Sequence, residues 1–263
     1  MKKYFIALSI ILGLGGFIFF RKMEILTDDG TEIVVGLNAN FPPFAFIEHD
    51  KVVGLDVDLI QEIARRIEKK VHIRDMAFKA LGPSVLIGKI QVVVGGISPS
   101  ERRRNATYFT KPYIEGDRIV LLSDPDFLYR SLHDLQGKTV ILCDGYSSSK
   151  KFLQKLEQDG VNLNNAKVSD RIKIAWVNSP AAALVALSNS TGSFFVISHC
   201  VAKLLFEKRK KMDLKLHVID GLYNKYSIGV SRRNPKLFLQ IQEALREMSI
   251  DGTLDLIKKR WGF

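Results

Sequence analysis

Apolar positions along the chain fall into two alternating patterns. Short apolar runs, most of them rich in β-branched residues, recur at residues 33–37, 71–73, 92–94, 118–123, 135–142, 172–177, 194–198 and 227–232. Such runs read as strands, several of them buried on both faces. Between them the apolar residues take helical spacing. Ile60, Ile63, Ala64 and Ile67 share one face of a helix opened by residues 54–59, and Leu237, Ile241, Ala244, Leu245 and Met248 share one face of a helix started by Asn234-Pro235. Further helices are expected after residues 144–148, over 180–188 and from His199. Asp56 is the expected N-cap of the helix at 54–59, with Asp58 serving the same terminus, and Ser148 is a candidate N-cap of the helix after 144. Strand and helix in strict alternation predict an α/β fold, with parallel-rich sheets covered by helices.

The N-terminus does not fit that alternation. Lys2-Lys3 precede an unbroken apolar run over residues 4–20, and Arg21-Lys22 close it. As a helix this run would reach ~25 Å, at the short end for crossing a bilayer. Residues 1–26 therefore read as a secretory signal peptide or as a retained anchor on the outer face of the inner membrane, and either implies export to the periplasm. Residues 27–30, Thr-Asp-Asp-Gly, form a linker by composition.

The chain has 263 residues, 46% hydrophobic and 25% charged, as in an ordinary globular protein. Its formal net charge of +11 raises nucleic acid or an anionic membrane as partners. The basic residues are scattered without a nucleic-acid-binding motif, and the densest run, 208–211, reads as the solvated end of a helix. Nucleic acid is therefore set aside, and lipid headgroups beside a tethered protein are the better use for the charge. Cys143 and Cys200 are the only cysteines. They read as buried free thiols, with pairing in an oxidising compartment left open.

The chemistry concentrates in residues 92–113. The strand 92–94 runs into Gly95-Gly96, where backbone can approach a ligand closely, then into the hydroxyls of Ser98 and Ser100 and the guanidinium groups of Arg102, Arg103 and Arg104. This set suits a small carboxylate, which Arg can pair bidentately. Ser98 precedes Arg103 by five residues, and Phe109 follows it by six within Phe109-Thr110-Lys111-Pro112-Tyr113. The stretch resembles the signature of the extracytoplasmic amino-acid-binding proteins of ABC importers, the polar amino-acid branch of solute-binding proteins. The resemblance extends over about residues 31–263. It includes Gly54-Leu55-Asp56-Val57-Asp58-Leu59, the aromatic-x-x-Leu-x-Pro segment at 78–83, Leu135-Gln136-Gly137-Lys138-Thr139-Val140, and the ending Asp251-Gly252-Thr253 to Trp261.

The resemblance implies a two-lobed periplasmic-binding-protein fold of type II, two parallel-rich sheets joined by a two-strand hinge. Lobe 1 is expected at 31–117 and 222–263, and lobe 2 at 118–221. It implies a ligand carboxylate on Arg103 and Ser98, close approach at Gly96, aromatic stacking by Phe41 and Phe78, and Ser147 closing from lobe 2. Two positions depart from the family pattern. Asn38 stands for one family carboxylate, and an alignment anchored on Val201-Ala202, with one residue deleted between Gly192 and Phe194, puts His199 at the ammonium-binding Asp. Two neutral groups hold a cation less well than two carboxylates. The function implied is capture of an amino acid by a monomeric component that delivers it to a permease and its ATPase, without metal or cofactor. A same-fold periplasmic enzyme, similar to cyclohexadienyl dehydratases with His199 as acid or base, and a membrane-tethered sensor are the alternatives.

Overall fold

The structure is a computed structural model that describes residues 31–161, 171–189, 194–208 and 213–263. The apolar run 4–20, the linker 27–30, the basic run 208–211 beyond its first residue, and the deletion site after Gly192 lie outside the described residues.

Two five-stranded mixed sheets organise the molecule. The first contains β1 (Glu32–Leu37), β5 (Lys70–Asp75), β6 (Val92–Val93), β7 (Thr107–Phe109) and β13 (Gly229–Ser231) in the order β5-β1-β6-β13-β7. β1 pairs in parallel with β5 and β6, while β13 is antiparallel to β6 and β7. The second contains β8 (Ile114–Ser123), β9 (Thr139–Cys143), β10 (Lys173–Val177), β11 (Phe194–Ser198) and β12 (Lys215–Tyr226) in the order β10-β9-β11-β8-β12. Here β9 is parallel to β10 and β11, and β8 is antiparallel to β11 and β12. A three-stranded ribbon, β2 (Asn40–Phe41), β3 (Ala45–Glu48) and β4 (Lys51–Val53), sits beside the first sheet.

The chain passes from the first lobe to the second in β8 and returns in β12. These strands pair from Lys215–Ser123 to Tyr226–Ile114, and hydrogen bonds from Tyr113 N to Tyr226 O (2.9 Å) and from Thr110 N to Ile228 O (3.0 Å) carry the pairing into the first lobe. Two adjacent extended segments therefore make the covalent connection, the geometry of a hinge.

Helices cover the sheets as the apolar spacing predicts. α1 (Leu55–Arg66) buries Ile60, Ile63 and Ala64, and α7 (Pro235–Ile250) starts with Pro at its first turn and buries Leu237, Ile241, Ala244, Leu245 and Met248. Each buried Leu, Ile or Met among these contributes about 1.5–3 kcal/mol as an upper estimate. The remaining helices are α2 (Phe78–Leu86), the single turn α3 (Glu101–Arg104), α4 (Ser147–Gln158), α5 (Pro180–Ser188), α6 (His199–Lys208) and α8 (Thr253–Arg260). Strands β11 and β1 are buried along all or nearly all of their length, as sheets covered on both faces require.

Two local expectations are corrected. Gly54, not Asp56, occupies the N-cap of α1, and no side chain caps that terminus. Asp58 lies in the first turn of α1 as expected, and it also accepts from Arg260 Nη1 (2.8 Å) and Trp261 Nε1 (2.9 Å), tying α1 to the end of α8. Ser148 lies inside α4, whose N-cap is Tyr146. Cys143 and Cys200 are free thiols, Cys143 buried and Cys200 partly so.

Candidate functional site

The segment after β6 is fixed from below by a buried carboxylate. Asp56 Oδ2 accepts from Gly95 N (2.6 Å), Gly96 N (2.7 Å) and the Tyr113 hydroxyl (2.7 Å). The Gly96 N–H is thus engaged by Asp56, and the close approach this glycine permits is to Phe41: with φ at +66°, a Cβ would lie 2.5 Å from Phe41 Cε1. Two residues on, Ser98 is 4% exposed and its Oγ has no hydrogen-bond partner. A buried hydroxyl left unpaired is uncommon in a folded protein and marks a place where another polar group fits.

Arg103 occupies α3, capped by Ser100, whose Oγ accepts from Arg103 N (3.4 Å). Its guanidinium donates to Ser98 O (2.6 Å) in the first lobe and to Gly145 O (3.1 Å) in the second, and its Cζ lies 5.3 Å from the Phe78 ring centroid. Burial, with a smaller contribution from neighbouring Arg102, lowers its pKa to about 10, so it remains charged at neutral pH. Among the described residues no carboxylate lies within ion-pair range of it. A mostly buried cation held by carbonyls alone is an incomplete arrangement. Arg102 and Arg104 are exposed, and Arg104 stacks over Phe109 at 5.7 Å.

The two aromatic residues expected at the site are joined by a third. Phe41 stacks on Phe44 (5.3 Å between centroids), and Phe78 begins α2. Tyr146 meets both, stacked on Phe78 (5.2 Å, 15° between planes) and edge-on to Phe41 (5.2 Å, 65°), and is only 7% exposed. Gly145 permits this approach: its φ is +80°, and a Cβ there would be 3.3 Å from Phe78 Cε1. Lys79 and Asp144 add an exposed ion pair across the same line, worth about 0–1 kcal/mol.

The other expected residues sit around this centre. Asn38 donates from Nδ2 to Met76 O (2.9 Å), holding the end of β1 against the start of α2. Ser147, at the first turn of α4, donates to Asn224 Oδ1 on β12 (3.0 Å). His199 is exposed at the first residue of α6. The acidic group at that helix start is Asp117 of β8, which accepts from Cys200 N (3.1 Å), Cys200 Sγ (3.1 Å) and the Tyr226 hydroxyl (2.6 Å). Arg103, Ser98, Gly96, Phe41 and Phe78 thus gather with Gly145 and Tyr146, while His199, exposed at the start of α6, makes no hydrogen bond or ion pair with any of them. Sequence reading missed Tyr146 and Asp117. A bulky aromatic directly after Gly145, between it and the serines, was the available signal for Tyr146, and Asp117 carried none. Among the described residues no cluster of His, Cys, Asp and Glu suits a metal ion.

The family model of the bacterial extracellular solute-binding proteins, family 3, matches residues 33–263. The chain belongs to this family. Among its relatives is the putative amino-acid ABC transporter-binding protein PatH of Vibrio harveyi, 26% identical over 233 residues and 88% of each chain. The arginine-binding extracellular protein ArtP of Bacillus subtilis is 25% identical over 88% of this chain and 86% of its own. Similar solved structures include an ancestral arginine-binding protein bound to arginine, with 29% identity and a TM-score of 0.76 over 88% of this chain and 98% of that one. Holo ArgBP from T. maritima superposes with 28% identity and a TM-score of 0.70 over 89% and 97%. This family 3 protein therefore has the periplasmic-binding-protein fold that its sequence pattern implied. Among its described residues no helix is long and apolar enough to cross a membrane.

Proposed function

We propose that the protein is the substrate-binding component of an ABC amino-acid importer, capturing an amino acid between its lobes outside the inner membrane. The observation that carries this reading is the Arg103 guanidinium, mostly buried without a carboxylate beside the unpartnered Ser98 hydroxyl. A ligand carboxylate supplies what both groups lack, through charge-assisted hydrogen bonds. In this reading Asn38 turns its amide oxygen toward the ligand ammonium while its nitrogen stays on Met76, and Phe41 and Phe78 wall the slot that Tyr146 enters. Ser147 and His199 belong to the closing lobe, and Gly96 positions Phe41. The lobes divide at 117/118 and 221/222, inside the paired strands β8 and β12. The closed, monomeric form then docks on a permease coupled to an ATPase, with residues 4–20 as signal or membrane tether. Binding rather than turnover is supported by the family, whose relatives here are named as binding proteins.

Calorimetry of the purified chain against the common L-amino acids tests this reading. At least one should bind, and Arg103→Ala should reduce its affinity at least a hundredfold, the loss expected when a buried charged hydrogen bond is left without its partner. An affinity unchanged by Arg103→Ala would remove this residue from the site.

A further inference from the structure

The open space beside Arg103 lies on the first-lobe side, away from Tyr146. A pocket of about 470 Å³ is bounded by α2 and residues 102–109, with Phe78, Arg103 and Gly145 at the edge it shares with the interlobe site. Its walls are apolar, formed by Leu81, Val85, Ile97 and Phe109 among others. All the charged groups lining it are cationic: Lys79, Arg102 and Arg103. No carboxylate among the described residues lines it. The nearby Asp144 is paired with Lys79, and Asp56 is engaged by Gly95, Gly96 and Tyr113.

We infer that this pocket receives the ligand's side chain, and that the side chain is apolar. The inference rests on the amino-acid-binding reading above and narrows it. A carboxylate on Arg103 leaves its α-carbon at the pocket edge, and a branched or aromatic hydrocarbon follows the apolar walls. A guanidinium or ammonium side chain in the same place would lie against apolar walls and the cationic Arg102, with Lys79 already holding Asp144 and no carboxylate in the lining to receive it, an unfavourable exchange for its hydration. The slot between the family's aromatic positions offers no substitute in this closed arrangement, because Tyr146 fills it against Phe78 and Phe41. This chain therefore departs in ligand class from the arginine-binding proteins it resembles.

The test measures thermal midpoints and calorimetric affinities of the full chain with L-leucine, L-phenylalanine, L-arginine and 4-methylpentanoate. L-leucine or L-phenylalanine should bind at least a hundredfold more tightly than L-arginine. 4-Methylpentanoate should raise the midpoint as well, since the pocket reads the carboxylate and the hydrocarbon. Gly82→Leu locates the side chain. Gly82 lines the pocket from an exposed position of α2, and a Cβ there meets no atom within 4 Å. This variant should keep the ligand-free midpoint while weakening the apolar ligand at least tenfold. Tighter binding of L-arginine than of either apolar amino acid would overturn the inference and leave amino-acid binding intact. Binding of the apolar ligand unaffected by Gly82→Leu would overturn the pocket assignment. No response to any amino acid or to 4-methylpentanoate would remove both readings.

Discussion

Asp56 is fully buried, and its Oδ1 has no partner while its Oδ2 accepts three hydrogen bonds. Burial raises its pKa to about 6 from an ordinary 3.8, and the bonds from Tyr113, Gly96 and Gly95 oppose that rise only in part. The folded chain therefore holds a proton that the unfolded chain has lost between those two values. This contribution to stability is fully present below the unfolded pKa and disappears as pH rises through about 6, with a span on the order of 3 kcal/mol. Asp56→Asn, whose amide oxygen can still accept from the two glycine N–H groups, should flatten the stability slope between pH 4 and pH 7 in urea titrations; a slope equal to that of the parent chain would assign the titration to another group. Sequence alone placed this aspartate at a helix start because Asp before an apolar-periodic run caps helices. Its partners, 39, 40 and 57 residues along the chain, become neighbours only in the folded sheet. The five- and six-residue spacings that single out Arg103 through the family resemblance, in contrast, are local to one stretch of sequence.

Elements with a strong period were read correctly, while several short or irregular ones were not, among them the ribbon β2–β4, β7, helix α2 and the crossing strand β12. α7 presents its five expected apolar residues to the core. β12, over Lys215–Tyr226, has charged residues and, at its middle, Asp220-Gly221, a turn-type pair inside an extended strand. Its pairing with β8 shifts register between Val218 and Tyr223, so the turn signal corresponds to an irregularity within one crossing strand. The C-terminal helix shows how distant elements are fastened. Trp261 Nε1 and Arg260 Nη1 both donate to Asp58, joining α8 to α1 across about two hundred residues. Trp261→Phe keeps an aromatic ring but removes one donor to this carboxylate. It should cost about 1–2 kcal/mol in denaturant unfolding, and no change in the midpoint would show that Arg260 and water replace the bond fully.

At the scale of the molecule, the contacts that join the lobes near the site include the Tyr146 ring on Phe78 and Phe41, Arg103 on Gly145, Ser147 on Asn224, and the exposed Lys79–Asp144 pair. Aromatic pairs contribute roughly 0.5–1.5 kcal/mol each beyond burial, so closure without ligand is a matter of a few kcal/mol and responds to a single substitution. Tyr146→Ala should increase the radius of gyration of the ligand-free chain in small-angle scattering, with the bound amino acid restoring the compact value. An identical radius for both chains would show that the β8–β12 crossing alone sets the lobe angle. The same sheet order has a consequence for how the protein comes into being. β13, from residues 229–231, lies between β6 and β7, so β7 has no neighbour in the first sheet until those residues are made, and α7 and α8, which pack on that lobe, come later still. The second sheet is complete at residue 226, before those two helices exist. During translation the second lobe can therefore assemble before the first is finished.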